Sequence, residues 1–125
     1  MVRDPFAGED TPELQTVLDA LGDQDCRTII RELEKPMTAS EISEASGVPL
    51  STTYRKLELL SDASLLTEST EIRTDGQHTT RYAVDFDEVR VQLDEEREFE
   101  VGIKRPERSP DERLAELWSE VRKET

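Results

Sequence analysis

Residues 38–60, TASEISEASGVPLSTTYRKLELL, decide how this chain is read. Thr38 and Glu41 have the spacing of a capping box, so a short helix starts at Thr38. Ile42 and Ala45 are expected to face inward from it. Gly47 is expected to end that helix in the left-handed conformation that glycine adopts without penalty. A second helix opens at Pro49 or Leu50 and runs to about residue 63. Leu50, Thr53, Leu57 and Leu60 share one side of it. Ser51, Thr52, Arg55 and Asp62 share the other, flanked by Tyr54 and Lys56, and Leu59 falls toward the exposed side. A short bracing helix, a tight turn and a second helix with short hydroxyls and cations outward are the pattern of a helix-turn-helix.

Outward from that stretch, Leu65–Arg73 and Thr79–Val84 alternate as strands around Asp75-Gly76, a strong hairpin signal. A helix-turn-helix followed by such a hairpin is a winged helix. Upstream, Thr11-Pro12-Glu13 is a helix start, followed by Leu14, Val17, Leu18 and Leu21 at helical spacing and by Gly22 as a stop. Asp23 or Asp25 caps the next helix, whose apolar face is Cys26, Ile29, Ile30 and Leu33. Pro36 terminates it, and Met37 adds a short strand beside the wing. Downstream, Val89, Val91 and Leu93 alternate with polar residues, as do Phe99, Val101 and Ile103, with Asp94-Glu95-Glu96 between. That predicts a second hairpin with one apolar face. Ser109-Pro110-Asp111-Glu112 is another helix start, and Leu114, Leu117, Trp118 and Val121 form one stripe behind it.

The expected fold class is therefore α+β, a winged helix-turn-helix with an added C-terminal β-hairpin and C-terminal helix. The expected organisation is a flexible lead over residues 1–10, a DNA-binding winged helix over 11–84, and a dimerisation extension over 85–125. In that extension Leu114, Leu117, Trp118 and Val121 are the interface residues and Trp118 the anchor, because Trp is enriched at interface cores.

Composition narrows the alternatives. The 125 residues carry a net charge of −14, with 37% charged residues and 5% aromatic. The acid is unevenly spread. Residues 1–46 hold 4 basic and 11 acidic side chains, residues 83–125 hold 8 and 14, but residues 47–82 hold 4 and 5. The near-neutral third is the one expected to face DNA. The sequence has no apolar run of membrane-spanning length and no signal-peptide pattern, so the expected location is cytoplasmic, with no membrane partner. One cysteine and one histidine exclude an intrachain disulfide and argue against a structural zinc site, so no metal and no cofactor are expected. No glycine-rich phosphate loop, nucleophile elbow or histidine-based pair is present, so the chain is not read as an enzyme.

The expected DNA contacts follow from chemistry. Arg55 forks onto a guanine, Ser51 and Thr52 reach phosphates or base edges, Tyr54 offers its hydroxyl to a phosphate, and Lys56 neutralises one. On the wing, Arg73, His78 and Arg81 are placed for the backbone or the minor groove. Cys26 reads first as a small buried hydrophobe. The competing reading is a thiol sensor answering an oxidant or a small effector, because it stands near a helix start beside Arg27.

The run GVPLSTTYRKLELLSDASLL and the wing after it resemble the winged helix-turn-helix of ArsR-like and TrmB-like archaeal transcription regulators. The resemblance covers about residues 11–84. It implies a homodimer on a pseudo-palindromic double-stranded site, with residues 50–63 in the major groove and residues 66–84 as the wing. The clustered Cys and His ligands of the metal-sensing branch are missing, so metal sensing is not implied. The acidity and scarcity of lysine resemble proteins of halophiles. A winged helix that binds another protein, and a redox-responsive regulator using Cys26, are the alternatives.

Overall fold

The computed structural model describes residues 12–106. Four helices come first: α1 (Leu14–Leu21), α2 (Gln24–Glu32), α3 (Ala39–Ser46) and α4 (Leu50–Asp62). Two antiparallel hairpins follow, β1 (Leu66–Ile72) with β2 (His78–Val84), and β3 (Glu88–Leu93) with β4 (Phe99–Lys104). This is the α+β winged helix-turn-helix with a second hairpin. The expected lead over residues 1–10 and the expected last helix, with Leu114, Leu117, Trp118 and Val121, lie outside the described residues.

The starts of α2 and α3 follow local hydrogen-bonding chemistry, whereas α1 and α4 open behind Glu13 and Pro49 without a side-chain cap. Asp23 caps α2, its carboxylate accepting the Cys26 N–H at 2.9 Å. Thr38 and Glu41 close the capping box on α3: the Glu41 N–H donates to Thr38 Oγ1 at 3.2 Å and the Thr38 N–H donates to Glu41 Oε1 at 2.8 Å. Two donors that a helix start leaves orphaned are thereby satisfied. Gly47 ends α3 at φ +78°. A Cβ there would meet nothing within 4 Å, so the cost of an alanine is backbone strain alone. Gly47→Ala is expected to lower stability by about 1–2 kcal/mol, the penalty of a left-handed L-residue, read as a lower denaturation midpoint with an unchanged denaturant slope.

Val17, Ala20, Cys26, Ile29, Ile42, Leu57, Leu60 and Leu65 are fully or almost fully buried and form the centre of the core. Fully burying a large aliphatic side chain contributes about 1.5–3 kcal/mol. Helix α4 packs on α1, α2, α3 and β1. That breadth explains one departure from the expected pattern. Leu59, expected to be exposed, packs at the margin of the core, because a helix enclosed on several sides buries more than one stripe. Three other positions fall outside the core. Leu18 and Leu50 are 44% and 41% exposed, and Ala45 is exposed. In α3 the inward positions beyond Ile42 are taken by Ser43 and Ser46, whose hydroxyls serve Val48, and Ala45 rotates outward.

The wing register pairs Leu66 with Val84 and Ile72 with His78, with Gly76 at φ +84° in the turn. Met37 adds the expected bridge. Its N–H donates to the Tyr82 carbonyl at 3.0 Å, and its carbonyl accepts the Tyr82 N–H at 2.8 Å. In the second hairpin Val89 faces Ile103, Val91 faces Val101 and Leu93 faces Phe99. This is the single apolar face that the alternation predicts. Val101 and Ile103 join the core of the winged helix, and β4 packs on α1.

Candidate nucleic-acid interface

The turn between α3 and α4 fixes where α4 points. Ser43 Oγ donates to the Val48 carbonyl at 2.6 Å, and the buried Thr53 Oγ1 donates to the same carbonyl at 3.1 Å. The Val48 N–H donates to Ser46 Oγ at 3.2 Å. The short peptide link between the helices is thus held at both of its polar ends. Sequence spacing puts Thr53 on the core side, and its hydroxyl finds the partner a buried donor requires.

With the turn fixed, α4 presents Ser51 and Arg55 to solvent, with Thr52 half-buried beside them. Among the described residues the Arg55 guanidinium has no hydrogen-bond or ion-pair partner. Tyr54 is 53% exposed and stands between two grooves. One, of about 380 Å³, is lined by the start of α3, by Tyr54 and by β2, and its rim carries the hydroxyls of Thr38, Ser40, Thr79 and Thr80 and the His78 imidazole. It therefore brings Tyr54 and His78 together on a donor-rich surface beside a helix start, the kind of surface that accepts phosphate oxygens. The other groove, of about 330 Å³, lies between α4 and β1–β2 and carries Glu58, Asp62 and Glu68. Tyr82 contributes to both grooves, and burial pushes its phenol pKa up.

Two expected phosphate contacts are otherwise engaged. Lys56 is turned away from the exposed face of α4, its Nζ 2.7 Å from Asp23 Oδ2 in a pair that is largely shielded from solvent. Asp23 therefore caps α2 and ties α2 to α4 at once. Arg81 lies 3.3 Å from Glu41 and 3.4 Å from Glu71, between two carboxylates. The Thr38 N–H, with help from Arg81, holds the Glu41 carboxyl below the usual carboxylate range. The Arg73 side chain is exposed at the wing tip, and its backbone is bonded to Gln77 and Gly76.

Hydrogen bonding from Lys56, then from the Cys26 N–H, draws the Asp23 pKa below its ordinary 3.8. A depressed carboxylate stabilises the fold above its unfolded pKa, and that contribution is lost as pH falls through the folded value. Asp23→Ala is expected to lower stability near neutrality by at least the value of an N-cap, about 1 kcal/mol. The difference from the wild type should shrink between about pH 5 and pH 2. Thermal midpoints of the two proteins across that range test it; a constant difference would mean the carboxylate's charge plays no part.

The setting of Cys26 favours packing over the sensor reading. Its side chain is fully buried, and burial followed by the nearby Asp23 charge pushes the thiol pKa to about 12. A thiol so placed is neither ionised near neutrality nor open to an oxidant, and it packs as a small hydrophobe. Among the described residues no three His, Cys, Asp or Glu side chains are gathered to hold a metal ion, and no helix is long and apolar enough to cross a membrane.

Comparison with known proteins covers part of this fold. Residues 21–69, from the end of α1 into β1, match a family described as a helix-turn-helix domain. The matched residues hold α2, α3 and α4, the helical part of the winged helix-turn-helix fold. Among solved structures it is similar to one described as "Possible transcriptional regulator from Methanosarcina mazei Go1", at 17% identity and a TM-score of 0.46, over 56% of this chain and 62% of that one. The chain thus spans less than two thirds of that protein's length. No curated protein matches the sequence.

Proposed function

We propose that this protein is a sequence-specific, double-stranded-DNA-binding transcription regulator acting as a homodimer, of the ArsR-like and TrmB-like archaeal kind in a halophilic setting. Helix α4 enters the major groove, and the β1–β2 wing follows the backbone or the minor groove. The observation that supports it is the exposed face of α4. Arg55, whose guanidinium has no partner among the described residues, and Ser51 project from a helix held at Val48, beside a groove rimmed with hydroxyls. Arg55 is the base reader. Ser51, Thr52, Tyr54 and His78 position the protein on the backbone, with Arg73 at the wing tip. Lys56 and Arg81 play lesser parts because carboxylates already hold them. A homodimer places two such helices one DNA turn apart on a pseudo-palindrome.

The net charge of −14 bears on mechanism. Nonspecific attraction to phosphate weakens with the logarithm of salt concentration, and in concentrated salt an acidic protein loses little by forgoing it. Base-edge contacts and bivalency then carry the binding. Repeated selection from a random duplex library in concentrated potassium chloride tests this reading. Enrichment of a motif with two inverted half-sites is expected. A library that stays random after selection would favour a winged helix that binds a protein, a reading supported by the acidic groove of Glu58, Asp62 and Glu68.

A further inference from the structure

The groove that holds Glu58, Asp62 and Glu68 has a chemistry that contact with DNA does not use. Tyr54, Glu58 and Asp62 recur every four residues along α4, with Ser61 one place before the last, and together with Leu57 they form one wall. Glu68 and Tyr82, paired across β1 and β2, form the other. Burial and then the Glu68 charge push the Tyr82 phenol up, which places ring and carboxylate close together.

Three features of this groove disfavour the protein by itself. Glu58 and Asp62 stand one helical turn apart and repel each other. Asp62 is the last residue of α4, whose last turn carries no basic side chain, so its carboxylate meets the negative end of the helix dipole. Ser61 Oγ is shut away from water and is the one buried side-chain polar atom without a hydrogen-bond partner among the described residues. Among those residues no lysine or arginine forms an ion pair with Glu58, Asp62 or Glu68; Lys56 and Arg81 are spent on other carboxylates. A single kind of ligand relieves all three, a cation that carries N–H groups.

We infer that the groove between α4 and the wing binds a small linear diamine or polyamine in its ammonium form. Glu58 and Asp62 each accept from one ammonium group, Ser61 Oγ accepts a further N–H, and Glu68 closes the site from the wing. Residues one helical turn apart stand about 5–6 Å from each other, a separation that a four-carbon chain between two nitrogens matches. The Tyr54 and Tyr82 rings suit both parts of such a ligand, since an aromatic ring attracts a cation and covers methylene groups. A quaternary ammonium offers the serine no N–H, and the three carboxylates are not gathered closely enough to hold a metal ion. The groove of about 330 Å³ has the size of a small-molecule site, whereas a basic protein segment needs an interface of ~1,000 Å². The site concerns the unliganded chain and does not depend on DNA binding. Occupancy also sets positive charge beside the face of α4 proposed to meet DNA, so it favours duplex binding; that step alone rests on the function proposed above.

Titration of the full chain with 1,4-diaminobutane at a fixed potassium chloride concentration tests the site. Tyr54 and Tyr82 are the only tyrosines of the chain, so their ring signals in nuclear magnetic resonance report on the groove directly. Saturable shifts of both rings are expected, with weaker binding of 1-aminobutane, which has one ammonium group. Glu58→Gln/Asp62→Asn should weaken binding about tenfold or more and should not lower the thermal midpoint, because it removes a repulsion. Glu95→Gln/Glu96→Gln, which removes equal charge at the turn of the second hairpin, should leave binding unchanged. Ser61→Ala should weaken binding without loss of stability. Absence of saturation, equal weakening by both charge variants, or equal affinity for the monoamine would overturn the site, and an unchanged affinity in Ser61→Ala would overturn the hydroxyl contact. Duplex affinity measured with and without the diamine tests the last step. A gain that persists in Glu58→Gln/Asp62→Asn would overturn that step and leave the site standing, and a chain that binds the diamine but no duplex would overturn the DNA reading alone.

Discussion

Arg55→Ala should weaken binding to the selected duplex by about 1–3 kcal/mol, roughly 5- to 150-fold, and flatten discrimination at one base pair of each half-site. The size follows from what the guanidinium is free to do. The other cations near the groove are engaged: Lys56 is held by Asp23 at 2.7 Å, and Arg81 lies between Glu41 and Glu71. A phosphate that recruited either would first have to break a native ion pair. Among the described residues nothing holds Arg55, and its planar fork matches the two acceptors of a guanine edge. In a dimer each site contains the substitution twice, so the loss is read per half-site. Fluorescence anisotropy on the selected duplex and on single-base variants separates the roles. A uniform loss across all duplexes, with a shallower salt dependence, would make Arg55 a phosphate contact. An unchanged affinity would remove it from the interface.

Local chemistry is legible in the sequence, and long-range pairing is not. The capping box at Thr38 and Glu41, the left-handed Gly47 and the facing of Leu93 with Phe99 are set by neighbours a few residues apart or by strict alternation. Residue type and spacing alone are enough to place each of them. Lys56 looks available in the sequence because its partner Asp23 is 33 residues upstream, on another helix. Arg81 looks available for the same reason, with Glu41 40 residues away. Cys26 shows a helix-start position outweighed by burial. The electrostatics of a helix N-terminus and Arg27 favour a thiolate, but the core closes over the sulfur and the Asp23 carboxylate opposes ionisation. Ala45 and Ser43 show apolar periodicity misleading over a short helix. The fold turns a serine inward because a carbonyl there needs a donor.

That carbonyl is the basis of the second large effect. Val48 is 6% exposed, and its oxygen accepts two hydroxyls, from Ser43 at 2.6 Å and Thr53 at 3.1 Å. Removing either hydroxyl leaves the other in place, so Ser43→Ala and Thr53→Val should each cost only the net value of one hydrogen bond, about 0.5–1.5 kcal/mol. Removing both leaves an acceptor shut away from water, whose desolvation penalty alone is about 1–3 kcal/mol. The double variant should therefore lose more stability than the two single losses combined. Such a coupling is the signature of a shared partner. A four-member denaturation cycle measures it, and simple additivity would mean that water replaces the missing donors. DNA binding supplies an independent readout. Val48 is where the chain turns from α3 into α4, so a loosened link lets α4 sample orientations other than the one that sets Arg55 into a groove. The double variant, measured well below its unfolding midpoint, should bind the selected duplex more weakly although every residue facing the DNA is unchanged. If its affinity equals that of the wild type, packing of Leu57 and Leu60 alone is sufficient to hold the helix.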